Sequence, residues 1–458
     1  MTVLTRPAPA GAASEGSSRP WRLRAEDVIG FLGANLVLIV LMWVRHGGLD
    51  ELTSVSGVAI AIGQLTALVG TFFALIQLLL MSRAPWLDHV FGRDRLTLAH
   101  RWVGFASVWL IVAHFIFTTL GFALADRANV VSEAWMLITT WDFVLMATVS
   151  LGLFVAVAVT SMRLARRKLS YESWHGIHLY AYLAIALGFA HQLVVGTDFV
   201  DDPIARLYWV ALYVATIGTL VAFRFGGPLA VNLRHRFRVA NVVDEAPGVV
   251  SVYLTGRDLD RFPIQAGQYV NVRFLTNGWW RAHPYSISAQ PNGRWLRLTV
   301  KALGDDSEQV RDLAIGTPVM VEGPYGNLTS DRRTADRVLL MAAGIGVTPL
   351  RALLEEFSAS LPVTLLYRAR RPVDLVFKHE MDVLAERRGA RVMYLVGSRR
   401  KGDPNTVLGP DVVRRIVPDV AASEVYICGP GDFMDEAAAT AMALGVPAGR
   451  IHKERFFD

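Results

Sequence analysis

Four histidines stand on two apolar stretches: His100 and His114 bracket RWVGFASVWLIVA, and His178 and His191 bracket LYAYLAIALGFA. Each stretch is apolar enough for a bilayer, where an ionisable side chain is costly and therefore points to function. Two imidazoles from facing helices at one depth can hold a haem iron from both sides. At about 1.5 Å of rise per residue, the histidines of each helix stand roughly 20 Å apart, which is room for two haems, one near each membrane face. Fourteen residues at about 100° each come to roughly 320°, so His100 and His114 share a face. Thirteen come to roughly 220°, so His178 and His191 need a π-bulge, helix curvature or a different direction of approach. His175, one turn earlier, competes with His178. The ordinary alternative is histidines that only hydrogen-bond inside a helical bundle. Two matched pairs favour the metal.

The elements that must position these residues are six apolar stretches, each long enough to cross a bilayer with tilt. They run over Val28–Val44, Val58–Met81, Leu98–Leu124, Trp141–Met162, Trp174–Val195 and Leu207–Phe225. Basic residues in the connections set the orientation. Arg19, Arg22 and Arg24, then Arg83, Arg93 and Arg95, then Arg163, Arg166, Arg167 and Lys168 mark the cytoplasmic side, while Asp50, Glu51, Asp126, Asp198, Asp201 and Asp202 lie in the opposite loops. Both termini are then cytoplasmic, in a multi-pass protein of the cell inner (plasma) membrane. His100 pairs with His178 at the inner level and His114 with His191 at the outer. Arg101, Arg167 and Lys168 read either as partners of inner haem propionates or as positive-inside anchors. The net charge of +6 fits arginines at a membrane surface rather than nucleic-acid binding. Cys428 is the only cysteine among 458 residues, which excludes an intrachain disulfide and a cysteine-held iron–sulfur cluster. Electron carriers must then be haem or organic cofactors. Residues 1–25, rich in Ala, Gly, Ser and Pro at their start, read as a disordered cytoplasmic tail.

After Phe225 the pattern changes. Alternating strands from Phe237 through Gly267-QYVNVRF, Trp295-LRLTVKA and Pro318-VMVEGPYG predict a small antiparallel β-barrel. From Arg337, buried strands alternate with helical segments, as in a parallel sheet with crossovers. The chain is thus multi-domain: a tail (1–25), a six-helix transmembrane di-haem bundle (26–228), a β-barrel domain (232–332) and an α/β domain (335–458), the last two carrying motifs that point to FAD and NADPH. Within the barrel, His283, Pro284, Tyr285, Ser286, Ile287 and Ser288 end one strand. Tyr285 offers a ring to a flavin, Ser286 a donor near its N5, and His283 a cation near its pyrophosphate. Lys301, Gly304 and Ser307 lead into a helix at Glu308, a phosphate-binding arrangement if Ser307 caps it. Alone, either motif reads equally as an ordinary strand end and N-cap. Gly344, Gly346, Thr348 and Pro349 form a strand–helix turn whose glycines let a pyrophosphate approach the backbone. Cys428, Gly429 and Pro430 end a later strand of the same sheet, so both turns face one cleft. Arg368 closes another strand, and Ser398 and Arg399 offer a 2′-phosphate site that favours NADPH over NADH. Arg399, Arg400 and Lys401 read alternatively as a solvated turn.

His-Pro-Tyr-Ser-Ile-Ser at 283–288, the turn at 344–349, Tyr-Ile-Cys-Gly-Pro at 426–430 and Glu-Arg-Phe at 454–456 resemble the ferredoxin-reductase type FAD/NADPH module. Joined to six spans with paired histidines, the chain from about residue 25 resembles the ferric reductase and NADPH oxidase superfamily in its compact prokaryotic form. The resemblance implies that His100, His114, His178 and His191 ligate two haems b. It also implies Cys428 and a C-terminal aromatic, Phe457 or its neighbour Phe456, beside the flavin where nicotinamide reacts. His283 stands where many soluble reductases carry Arg, although the oxidase branch often has His-Pro there. The implied reaction carries electrons from NADPH through FAD and two haems to an acceptor on the outer face. Bis-histidine ligation leaves no open iron position, so the acceptor reacts by outer-sphere transfer. Dioxygen, giving superoxide, fits. So does a ferric chelate. A third reading is a membrane subunit that feeds electrons to a periplasmic protein, and a fourth is a membrane-tethered flavoprotein with structural histidines.

Overall fold

The computed structural model describes residues 24–200, 202–276, 281–397 and 408–454. Among them, six helices are long and apolar enough to cross a membrane. They belong to α1 (Ala25–Arg45), α2 (Val55–Leu80), α3 (Arg93–Ala125), α5 (Val144–Ser161), α6 (Tyr171–Val195) and α7 (Pro203–Val221). A shorter helix, α4 (Val130–Thr140), lies in the connection after α3, where the sequence reading had only loop. Its ends are set locally: Asn129 accepts from the Val131 amide at 2.8 Å, and Glu133 stands in its first turn. Trp102, Trp109, Trp135 and Phe225 are exposed, as a bundle facing hydrocarbon requires.

α2 and α3 make the closest helix pair. A side chain at Gly63 would collide with Thr118, and one at Gly104 with Gln77, so small residues set their spacing. That spacing matters for the site, because it brings α2 carbonyls within reach of the α3 histidines. The 220° problem on α6 is met without a π-bulge, since that helix is α throughout. The π-turn occurs instead at Ala222–Gly226, where α7 continues into α8 (Gly227–His235). The last helix therefore continues past Phe225. It runs unbroken into the soluble half, because Gly226 and Gly227 both keep helical dihedrals and Pro228 falls in the first turn of α8, where its missing N–H costs nothing.

At the end of the bundle opposite the soluble half, Asp202 caps α7. It accepts from the Ile204 and Ala205 amides at 2.7 and 3.3 Å, and its other oxygen lies 2.6 Å from His46 Nε2 and 3.4 Å from Arg45. The His46 contact, with the two amides, holds the Asp202 carboxyl down at about 2. An unfolded aspartate titrates near 3.9, so this stabilisation is complete above about pH 4 and is lost as pH falls through about 2. Asp202→Asn is expected to lower the melting temperature at neutral pH, with a deficit that shrinks in acid. A deficit that fails to narrow between about pH 5 and pH 3 would sink that assignment.

The soluble half begins with six strands: β1 (Arg238–Ala246), β2 (Val249–Thr255), β3 (Tyr269–Phe274), β4 (His283–Ser286), β5 (Leu296–Lys301) and β6 (Val319–Tyr325). They form two three-stranded antiparallel sheets, ordered β1-β2-β5 and β4-β3-β6. Isolated bridges at Arg238–Pro318 and Ile287–Leu298 join them, in place of one continuous barrel ladder. The helix expected at Glu308 begins earlier, at Asp305, and is a single turn. Ser307 is therefore inside it rather than capping it. Five parallel strands follow, β7 (Val338–Ala343), β8 (Val363–Ala369), β9 (Arg391–Val396), β10 (Glu424–Cys428) and β11 (Ile451–Lys453), ordered β11-β10-β7-β8-β9. Helices α9 (Val347–Glu356), α10 (Lys378–Arg388) and α11 (Gly431–Ala443) cover the sheet. Arg297 on β5 and Arg351 on α9 both bind Glu380 of α10, and Arg351 also donates to the Ser288 carbonyl at 3.1 Å. These buried pairs fix the two-sheet unit against the parallel-sheet unit.

Candidate functional site

His100 and His178 face each other at the end of the bundle nearest the soluble half, with ring centroids 6.0 Å apart and planes at 67°. His100 Nδ1 lies 3.2 Å from the Gln77 carbonyl. His114 Nδ1 lies 3.0 Å from the Gly63 carbonyl, and Thr118 Oγ1 is 3.2 Å away. A carbonyl only accepts, so in both rings Nδ1 carries the proton and Nε2 presents a lone pair. Metal-binding histidines are held in this way, their second nitrogen donating to a carbonyl that fixes tautomer and ring orientation. His178 lies 3.4 Å from Ser161 Oγ, and the Trp174 ring packs on it at 5.1 Å. His178, not His175, is thus the ring that faces His100.

At the other end of the bundle, His114 and His191 line one cavity of about 410 Å³. Its walls are mostly apolar, with a few polar groups bound to one another. Trp43 Nε1 donates to Gln64 at 2.8 Å, Tyr213 to Gln192 at 2.9 Å, and Gln192 to Thr71 at 2.5 Å. His191 Nδ1 and Trp209 Nε1 are shielded from solvent and make no hydrogen bond of ordinary geometry. No cluster of three or more metal-ligating side chains exists among the described residues. Two imidazoles suit a metal whose other ligands come from a macrocycle, and an apolar cavity suits the macrocycle. The residues fit haem. Arg101, Arg167 and Lys168 are exposed, which fits anchors at the bundle surface.

In the two-sheet unit, strand alternation puts His283 and Tyr285 on one face, their rings stacked at 6.3 Å. Pro284 is exposed between them, and Ser286 is buried where it pairs with Tyr269. Ile287 and Ser288 are wholly buried. The Ser288 hydroxyl takes Arg297 Nε at 3.1 Å and Thr299 Oγ1 at 2.6 Å. Both residues are covered because they pair with β5, Ile287 bridging to Leu298 and the Ser288 amide donating to the Arg297 carbonyl at 2.8 Å. Lys301 and Gly304 are exposed at the rim. Ser307 Oγ accepts from the Leu303 and Gly304 amides at 2.8 and 3.1 Å, so it closes its own loop.

The turns of the parallel sheet do converge. β7 and β10 are hydrogen-bonded neighbours, with Ala342 opposite Cys428, and β8 flanks β7 with Arg368 opposite Ala343. Gly344 adopts φ +56°. A Cβ on Gly346 would run into the Cys428 carbonyl, and one on Gly429 into Phe433 and Ala343. Glycine is therefore what lets these two turns touch. Thr348 Oγ1 donates to the Ile345 carbonyl at 2.9 Å, Pro349 is buried in the first turn of α9, and Pro430 leads into α11. Cys428 is completely buried, and burial pushes its thiol far above the ordinary range. Ser398, Arg399 and Phe457 lie outside the described residues, as does Phe456. The partners Gln77, Gly63 and Trp174 were not read from the sequence. Gln192 and Tyr213 carried a usable signal, being polar side chains inside apolar spans.

A multi-pass helical bundle joined to a two-sheet unit and a parallel-sheet nucleotide unit defines a membrane-embedded oxidoreductase with an FAD and NAD(P) module. Residues 66–189 match the ferric reductase like transmembrane component, 235–329 an FAD-binding domain, and 340–439 the oxidoreductase NAD-binding domain. The chain has the ferric reductase and NADPH oxidase-like architecture, a transmembrane component joined to a ferredoxin-reductase type module. Similar proteins include the ferredoxin–NADP reductase B of Sorangium cellulosum, 30% identical over 236 residues, covering 48% of this chain and 96% of that one. Another is the glycine betaine monooxygenase reductase subunit of Chromohalobacter salexigens, 26% identical over 49% of this chain, which spans 65% of that subunit's length. Among solved structures, the FAD/NAD binding domain of a nitric oxide dioxygenase from Vibrio cholerae matches 49% of this chain and 99% of its own, at 25% identity and a TM-score of 0.39.

Proposed function

We propose that the chain carries electrons from cytoplasmic NADPH through FAD and two bis-histidine haems b to dioxygen on the outer face of the cell inner membrane, releasing superoxide. The observation that carries this reading is the arrangement of the two pairs. His100 and His178 face each other beside the reductase module, and His114 and His191 share an apolar cavity at the far end. When bound, FAD would turn a hydride into single electrons and the haems would relay them one at a time. The chain's own residues position and insulate. Gly344, Gly346 and Gly429 open the backbone to the nucleotide's pyrophosphate, with Arg368, Ser398 and Arg399 as the cations and hydroxyl around its ribose end. Tyr285 and His283 offer the flavin a stacked wall. His100 and His178 would hold the inner iron, and His114 and His191 the outer one. Apolar lining around the outer pair excludes water and keeps reduction outer-sphere.

The balance is two electrons per NADPH, which becomes NADP⁺ and a proton, and two dioxygen molecules reduced to two superoxide ions. The test is an absorbance spectrum of the detergent-solubilised protein under nitrogen, before and after NADPH, then in air. Low-spin bands from about two haems per chain, reduced by NADPH and bleached by oxygen with superoxide formed, are the expected result. Reduced bands that persist in air and vanish with ferric citrate would move the acceptor to a ferric chelate. A protein without a Soret band would overturn the haem assignment.

A further inference from the structure

The membrane bundle and the reductase module meet at one carboxylate. Glu322, on β6, is only 5% exposed. The Arg83 guanidinium, from the loop after α2, forms an ion pair with it, and Arg273 of β3 reaches its other oxygen at 3.3 Å. Tyr325 joins both partners: its hydroxyl accepts from Arg83 at 3.3 Å and donates to Glu322 Oε1 at 3.3 Å. Arg83 and Arg93 place their guanidiniums 5.5 and 5.6 Å from the Tyr325 ring centroid. Beside this cluster, Asn327 donates to the Asp88 carbonyl at 3.2 Å. Arg83 has φ +63°, a conformation that a non-glycine residue keeps only when its surroundings hold it.

The charge count is lopsided. Arg83 and Arg273 pair with Glu322, Arg93 pairs with Asp88 at 3.3 Å, and Arg224, in the π-turn after α7, adds like-charge repulsion on Arg83 and Arg273. Glu322 is thus the carboxylate that an arginine beside the bundle, Arg83, and an arginine of the module, Arg273, share at a junction to which four arginines contribute. Without it, the guanidiniums of the two units repel each other across a poorly solvated contact. The cluster also lies close to the inner histidines. Gln77, whose carbonyl binds His100, is six residues before Arg83, and Arg93 is seven before His100. At about 1.5 Å per residue, Arg93 stands roughly 10 Å along its helix from His100.

We propose that Glu322 is a positioning residue, a latch that holds the reductase module against the bundle beneath His100 and His178 and so sets the rate of flavin-to-haem electron transfer. This rests on the electron path proposed above. It assigns Glu322 no contact with substrate or cofactor. Its removal must therefore spare the first half of the reaction, hydride transfer from NADPH, and slow the second.

Stopped-flow reduction of the full-length, detergent-solubilised protein by NADPH separates the two halves, reading flavin bleaching and haem reduction at their own wavelengths. Glu322→Gln is expected to leave flavin bleaching within about twofold and to slow haem reduction by about tenfold or more, since misplacement by roughly 1 Å can cost up to a hundredfold. Glu322→Asp, which keeps the charge, should restore most of the rate. Arg83→Gln leaves Arg273 to pair with Glu322 and should fall between them. A second readout does not depend on haem. Because Cys428 is completely buried, cysteines introduced as D88C and N327C can be joined by a short bis-maleimide without competition from it. The yield of that cross-link should fall when E322Q is added. Wild-type haem reduction in E322Q, equal loss of flavin and haem reduction, or an unchanged cross-link would each overturn the latch. Should the protein hold no haem, the electron path fails on its own, and the cross-link still decides whether Glu322 joins the two units.

Discussion

His191→Ala and His114→Ala are each expected to reduce the haem content from about two per chain to about one, while NADPH-driven flavin reduction keeps its rate. The argument is one of separation. Both residues line the cavity at the end of the bundle far from the module, whereas the nucleotide turns at Gly346 and Gly429 belong to a sheet with its own buried core. Reduction of the outer acceptor should fall by more than the roughly 10–100-fold that loss of a supporting hydrogen bond costs a metal site, because a ligand itself is lost. His114 is anchored, with its Nδ1 on the Gly63 carbonyl. Pyridine haemochrome content, with flavin bleaching measured in parallel, checks both statements. Equal collapse of haem content and flavin reduction would mean that the bundle and the module are not separable.

The second large effect is expected at Gly346. Gly346→Ala places a methyl group against the Cys428 carbonyl and the Gly429 amide, which are backbone atoms that cannot rotate away. Overpacking of this kind costs about 1–3 kcal/mol. Here the displaced atoms form both turns of the nucleotide cleft, so the cost falls on NADPH binding. At about 1.4 kcal/mol per tenfold, the NADPH KM should rise by about tenfold, with haem and flavin contents unchanged. Ferricyanide reduction, which bypasses the outer acceptor, gives that KM directly. A KM within about twofold of wild type would show that the turns part without consequence for the nucleotide.

Periodicity and residue type were enough for much of this protein. Hydropathy marked six spans because a bilayer demands about 20 apolar residues per crossing. The histidines were legible for the same reason, since a titratable ring inside such a span needs a partner. The glycine turns were legible because glycine takes a φ of +56° at Gly344 without the strain a side chain brings, and because only glycine avoids the contact at Gly346. Other features depend on which surfaces meet. Nothing local in Gln77 or Gly63 marks their carbonyls as histidine partners; they lie 23 and 51 residues away along the chain, and the offset of α2 against α3 selects them. Ile287 and Ser288 share a motif with Tyr285, yet β5 covers them and leaves Tyr285 open. The run of the last span to His235 was equally hidden, because Gly-Gly-Pro reads as a break until the dihedrals are known. Glu322 is one acidic residue at the end of a strand until the loop after α2 brings Arg83 onto it. By itself the sequence determined the spans, the histidines within them and the glycine turns, because short-range sterics and the cost of burying charge act on each segment alone. Only the tertiary structure decided which ring each carbonyl holds and which carboxylate joins the two halves, because those choices depend on the register between segments distant in the chain.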